Sequence, residues 1–204
     1  MVSRLGTVRD VCRRWLALYL PAATLVFVLS IVVGFALGRA VPIESLPTAD
    51  PGAGGGSVFP PLTTVDLAVN NLVAMVVLLL GAVSVGLVTI FGLVLNGLLI
   101  GAVVGIAVQT LSPVVILALL VPHGILEIPA FLVAAAVGLR FGRLTVRYVR
   151  GLESELVTRR DLREAGSLVA VSAVLIVVAA FIEANLTLQV AEWVAGGELA
   201  GPGV

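Results

Sequence analysis

Residues 67–139 read LAVNNLVAMVVLLLGAVSVGLVTIFGLVLNGLLIGAVVGIAVQTLSPVVILALLVPHGILEIPAFLVAAAVGL. They hold one formal charge, Glu127, and the chain's single histidine, His123. A run this long and this apolar belongs in hydrocarbon. There, every backbone N–H and C=O must be satisfied within the protein, so the run must be helical. One crossing takes about 20 apolar residues, and the flanks decide how many crossings the run makes. The N-terminal segment carries Arg4, Arg9, Arg13 and Arg14, and residues 40–65 carry no basic residue. Arg140, Arg143, Arg147, Arg150, Arg159, Arg160 and Arg163 follow the run. By the positive-inside rule the two arginine clusters share the cytoplasmic side and the loop between them is external. The number of crossings between 66 and 139 is therefore odd, and length makes it three.

Working outward, residues 15–38 form a first span and residues 166–188 a last one. The expected architecture is all-α, with five transmembrane helices near residues 15–38, 66–86, 87–110, 113–139 and 166–188. It forms a single membrane domain with the N-terminus inside, the C-terminus outside, an external loop at 40–65 and a basic cytoplasmic segment at 140–164. The first span exceeds a signal-peptide core in length and reads as a retained anchor. The loop between spans one and two is rich in Pro and Gly, which forbids a regular element there, and Thr64 or Asp66 is the expected cap of the next helix. Within 67–139 one division places turns near 81–86 and 109–113, and the other places them near 96–97 and 122–124. The first is preferred. It puts His123 and Glu127 well inside the bilayer and leaves the fourth span interrupted at Pro-His-Gly.

Composition agrees. Charged residues make up 12% of the chain, against about 25% in soluble domains. Net charge is zero and every basic residue is arginine, so nothing points to nucleic acid. One cysteine, Cys12, forms no internal disulfide. Acylation is one reading of that thiol beside Arg13 and Arg14, and an idle thiol is the simpler one.

The densest polar signal is PHGILEIPA, residues 122–130. A charged side chain at mid-bilayer costs roughly 2.5–3.5 kcal/mol on insertion scales. His123 and Glu127 stand four apart, so a helix puts them on one face, where they can pair. Pro122 and Pro129 each remove a backbone donor and so free a carbonyl, and Gly124 adds to the expected break. Either this is an ion, proton or polar-ligand site, or it is a helix break stapled by one pair. Asn70, Asn71, Asn96 and Glu183 fall at comparable depth. Interhelical hydrogen bonds explain each Asn singly, and a shared polar cavity with His123 and Glu127 explains them together.

Gly34 and Gly38, then Gly97, Gly101 and Gly105, then Gly138 and Gly142, keep the spacing that lets membrane helices approach closely. Packing within the chain is the first reading and a homo-oligomer the second. Arg140, Arg143, Arg147 and Arg150 form one helical stripe. It is expected to meet lipid phosphates, or a cytoplasmic partner in the sharper reading. Enzyme chemistry, a cofactor and a metal are not expected. One His and one Cys do not assemble a zinc site from such ligands. Ser84, Ser112 and Ser172 lack a nucleophile-elbow context. Asn185-Leu-Thr187 is a formal glycosylation sequon very near the membrane.

The Asn70-Asn71 pair, Asn96-Gly97 with its following glycines, PHGILEIPA at 122–130 and AAFIEANLT at 179–187 occur in that order. In these the chain resembles the stage II sporulation protein M family of prokaryotic membrane proteins. PHG-(x)2-E-(x)-PA is the specific motif. The resemblance implies a multi-pass protein of a prokaryotic cell membrane. It also implies a scaffold that recruits membrane or envelope partners for cell-wall remodelling, with no assigned catalytic residue. The alternative from the residues is a transporter or channel subunit with a polar path through His123, Glu127 and the intramembrane Asn residues.

Overall fold

The computed structural model describes residues 8–42 and 63–196. Among the described residues the chain is helical and has no strand. The helices are α1 (Val8–Leu16), α2 (Tyr19–Arg39), α3 (Thr64–Leu79), α4 (Leu87–Ala107), α5 (Pro113–Val149), α6 (Arg159–Ile182) and α7 (Leu188–Val194). A 3-10 turn, Leu80–Ala82, extends α3, and a π-helical turn, Glu183–Thr187, joins α6 to α7. Five helical segments are long and apolar enough to cross a membrane: Tyr19–Arg39, Thr64–Ala82, Leu87–Ala107, Pro113–Val149 and Arg159–Val194. The turns within the long apolar run fall at residues 83–86 and 108–112. Most of the proline-rich loop expected at 40–65 lies outside the described residues.

Local chemistry sets the helix starts. Thr63 and Thr158 each cap a helix reciprocally with the acidic residue three positions on, Asp66 and Asp161. The expected cap at Thr64 or Asp66 is thus corrected to Thr63, because Asp66 at the third helical position supplies the return bond. Ser112 caps α5 ahead of Pro113, whose missing N–H is harmless in a first turn.

The fourth span also differs from expectation. It is one 37-residue helix that runs through Pro122, Gly124 and Pro129 without a break. Each proline forfeits one backbone bond, but packing against neighbouring helices holds the helical path, as membrane helices permit. The prolines therefore loosen the backbone bonding of α5 without interrupting it. Around residues 130–138 α5 is buried on every side, with Ala134, Ala135, Ala136 and Val137 fully inaccessible. A helix apolar all round belongs at the centre of a bundle. The outward faces of the other spans carry exposed Leu25, Val103 and Val174, as expected of a surface solvated by acyl chains.

Helices α2 and α4 run parallel with backbone nearly touching backbone. An added Cβ at Gly97 would meet Ile31 N at 3.3 Å, one at Gly101 would meet Phe35 N at 2.7 Å, and one at Gly105 would meet Arg39 N at 2.9 Å. The contacts advance together by four residues on both helices, which fixes direction and register. Gly34 and Gly38 present the same closeness from the α2 side, against Leu98 and Ala102. The glycine faces therefore serve packing within the chain. Gly138 and Gly142 of α5 sit likewise against the α3–α4 corner. That corner is closed by fully buried Thr89, which donates to Leu78 O at 2.6 Å. Its turn needs two left-handed residues, Val85 at φ 58° and Gly86 at φ 89°. Gly86 adopts this freely; Val85, being β-branched, is strained there.

Parallel α2 and α4, with α3 between them, give the spans an alternating order. One end of the bundle gathers α1, the 83–86 turn, the arginine-bearing end of α5 and the start of α6. The other gathers the start of α3, the 108–112 turn and the π turn, where Asn185 Nδ2 donates to Thr64 Oγ1 at 3.1 Å.

Candidate functional site: an intramembrane polar cavity

At about 1.5 Å per helical residue, Asn70 lies about 9 Å from the start of α3. On the same rise, His123 and Glu127 lie about 15 and 21 Å from the start of α5, and Asn96 about 16 Å from the end of α4. These depths fall inside a hydrocarbon layer of about 30 Å. All six polar residues singled out from the sequence line one cavity of about 300 Å³: Asn70, Asn71, Asn96, His123, Glu127 and Glu183. Phe27 and Phe131 contribute apolar wall, so every one of the five spans reaches the cavity.

The hydrogen bonds around the cavity set its polarity. Asn70 Nδ2 donates to Asn71 Oδ1 at 3.2 Å, and Asn96 Nδ2 donates to Gly92 O at 2.8 Å. Asn70 and Asn96 thus each hold one N–H in these bonds and keep oxygen lone pairs and a second N–H to offer, with the amide orientations assigned from this network. Among the described residues, the Glu127 carboxylate receives no hydrogen bond. His123 does not pair with Glu127 as expected, although both line the cavity. Its Nδ1 lies 3.4 Å from Thr187 Oγ1. Thr187 is buried and sits on the π turn that also carries Glu183. Such turns re-aim side chains and are frequent at functional sites. The ligating atoms of His123, Glu127 and Glu183 all stand within 4.8 Å of one another. From the sequence only His and Cys ligands enter the count, whereas the fold gathers a mixed set of one imidazole and two carboxylates. It joins residues 60 positions apart, so no local spacing announces it.

The sequon residues are occupied otherwise. Asn185 Nδ2 also donates to Phe181 O at 2.8 Å, and Thr187 engages His123. Pro122 and Pro129 flank the cavity stretch of α5, and Gly124 lines it directly.

The arginine stripe, expected to meet lipid phosphates or a cytoplasmic partner, is engaged in part within the chain. Arg140 turns inward: its guanidinium lies 4.3 Å over the Trp15 ring, it donates to Arg14 O, and it reaches Asp161 at 3.4 Å. Arg143 donates to Tyr19 Oη at 3.3 Å, Arg147 pairs with Glu153 at 2.9 Å, and Arg150 stands at the helix C-cap. Sequence reasoning missed the partner group here. Trp15, fully buried, donates through Nε1 to Glu164 at 2.9 Å, and Arg14 and Arg160 reach the same carboxylate at 2.8 and 2.9 Å. The only local hint was an acidic residue inside an arginine-rich segment ahead of an apolar run.

Five alternating apolar spans around a polar cavity define a polytopic α-helical membrane protein. The family model described as stage II sporulation protein M matches residues 22–188, and the chain belongs to that family. An uncharacterised protein of Methanocaldococcus jannaschii is 34% identical over 136 residues, 66% of this chain and 74% of that one. No solved structure matches.

Proposed function

We propose that the protein handles a small cation or polar solute within the membrane, as a transporter or channel subunit and without enzymatic chemistry. One observation carries this. Six polar side chains drawn from different spans converge on a single cavity, and the most deeply placed carboxylate among them, Glu127, has no protein donor among the described residues. A carboxylate held only for architecture is expected to be hydrogen-bonded, since leaving a charge bare at that depth is costly. A ligand that enters the cavity supplies the missing partner. The scaffold reading implied by the family would draw on the glycine faces and the arginine stripe. The first are used between α2 and α4, and Arg140 and Arg143 are engaged within the chain. The arginine distribution supports a cytoplasmic basic end and an external C-terminus, and the family with its archaeal relative supports residence in a prokaryotic cell membrane.

Reconstitution tests the proposal. Purified protein in liposomes is expected to pass at least one of H⁺, Na⁺, Mn²⁺ or Zn²⁺ tenfold or more above protein-free vesicles. Glu127→Gln is expected to abolish that flux while the protein stays monodisperse and inserted. Flux no higher than in empty vesicles for all four probes, or flux indifferent to Glu127→Gln, would remove the support for transport.

A further inference from the structure

We propose that His123, Glu127 and Glu183 form a binding site for a divalent transition-metal ion inside the bundle. The inference rests on the cation-handling reading above and names its ligand class.

Geometry is the first ground. Donor atoms that share one ion at bond lengths of about 2.0–2.2 Å stand roughly 3–4 Å apart. The three ligating atoms here all lie within 4.8 Å of one another without an ion. Closing the set takes about an ångström of side-chain movement, which a cavity of about 300 Å³ allows.

Charge is the second. Two ionised carboxylates and a neutral imidazole carry two negative charges, and a divalent ion cancels both. No arginine lines this cavity. Arg14 and Arg140, the inward-facing arginines, belong to the opposite end of the bundle, where Glu164 and Asp161 engage them. Among the described residues, then, no arginine in the site neutralises the Glu127–Glu183 pair.

The third ground is the histidine's outer partner. Thr187 Oγ1 donates its only proton to Ile182 O at 3.3 Å. With that proton so assigned, it accepts from His123 Nδ1–H at 3.4 Å, a tautomer assigned from this network. That assignment leaves Nε2 as the lone-pair nitrogen. An imidazole whose second nitrogen donates to a fixed acceptor is the usual form of a metal-ligating histidine. The π turn places Glu183 and Thr187 together, so one irregular turn supplies both a ligand and the partner of another ligand. Asn70 and Asn96 add oxygen acceptors to the same cavity, as direct ligands or as holders of bound water.

One nitrogen and two or more oxygens, with no sulfur, suit Mn²⁺, Fe²⁺, Co²⁺ or Zn²⁺. The imidazole argues against Ca²⁺ and Mg²⁺, which take oxygen ligands.

The test uses the full chain in detergent, purified without a histidine tag and stripped of metal. Mn²⁺ titration followed by loss of the free-ion EPR signal is expected to show one ion per chain. Glu183→Gln and His123→Asn are each expected to weaken it at least tenfold, and Arg147→Gln to leave it unchanged. Because the chain holds one histidine, a ¹⁴N imidazole coupling to bound Mn²⁺ in the unsubstituted protein identifies His123 even if a variant fails to fold. Absence of Mn²⁺, Co²⁺ and Zn²⁺ binding to monodisperse protein, or binding without imidazole coupling, overturns the site. Glutamate-dependent H⁺ or Na⁺ flux without metal binding would sink the metal site and leave the transport reading standing. One bound, histidine-coupled ion without flux of any probe would do the reverse.

Discussion

Glu164→Ala is expected to destabilise the protein by about 3–5 kcal/mol, the usual consequence of removing one partner from a buried charge group. Glu164 is 3% exposed and receives Trp15 Nε1, Arg14 and Arg160. Without it, the buried indole N–H has no acceptor and the Arg14 guanidinium loses its counter-charge. Arg140, stacked on the same indole, loses a fixed neighbour as well. Arg160 is the internal control. Its side chain is 59% exposed, so Arg160→Ala is expected to cost no more than about 0.5 kcal/mol. Thermal unfolding followed by tryptophan fluorescence compares the two variants. Equal midpoints would mean that the carboxylate anchors neither α1 nor α6.

Gly101→Leu is expected to cost roughly 3 kcal/mol or more, the upper range of overpacking, and to separate α2 from α4. Its first added carbon would overlap the Ile31–Phe35 stretch of α2, and the obstruction is backbone, which cannot change rotamer. Two other helical glycines separate crowding from composition. A Cβ at Gly166 meets nothing within 4 Å, and one at Gly124 meets only Ile128 Cδ1 at 3.7 Å. Gly166→Ala and Gly124→Ala are therefore expected to be neutral, or slightly stabilising through helix propensity. Yield of monodisperse protein and its unfolding midpoint decide this. Gly101→Leu behaving like Gly166→Ala would show that α2 and α4 do not pack as closely as described.

The five spans could be read because two independent patterns constrain them. Hydrophobic run length sets how many crossings fit, and the arginines at 140–163 set the parity. Convergence of the six polar residues was one of two readings the sequence left open, since isolated polar groups at membrane depth face inward. The path of α5 was not. Proline rules taken from soluble helices predict a break at Pro122, while neighbouring helices supply the packing that keeps the segment helical. The partner of His123 was hidden for a related reason. Spacing of four suggested Glu127, but a turn 60 residues later delivers Thr187 and Glu183 to the ring and the cavity. The Trp15–Glu164 contact spans 149 positions, and no periodicity in either segment signals it.

Water access to the cavity tests the central claim most directly. In a Cys12→Ser background, single cysteines are placed at cavity positions (Asn70→Cys, Asn96→Cys, Glu127→Cys) and at lipid-facing ones (Val103→Cys, Ile125→Cys). A membrane-impermeant, charged thiol reagent is then applied from each side of the membrane. The cavity positions are expected to react from one side and the lipid-facing positions from neither. Cavity cysteines as inert as those at Val103 and Ile125 would contradict a polar site that water and solutes can reach.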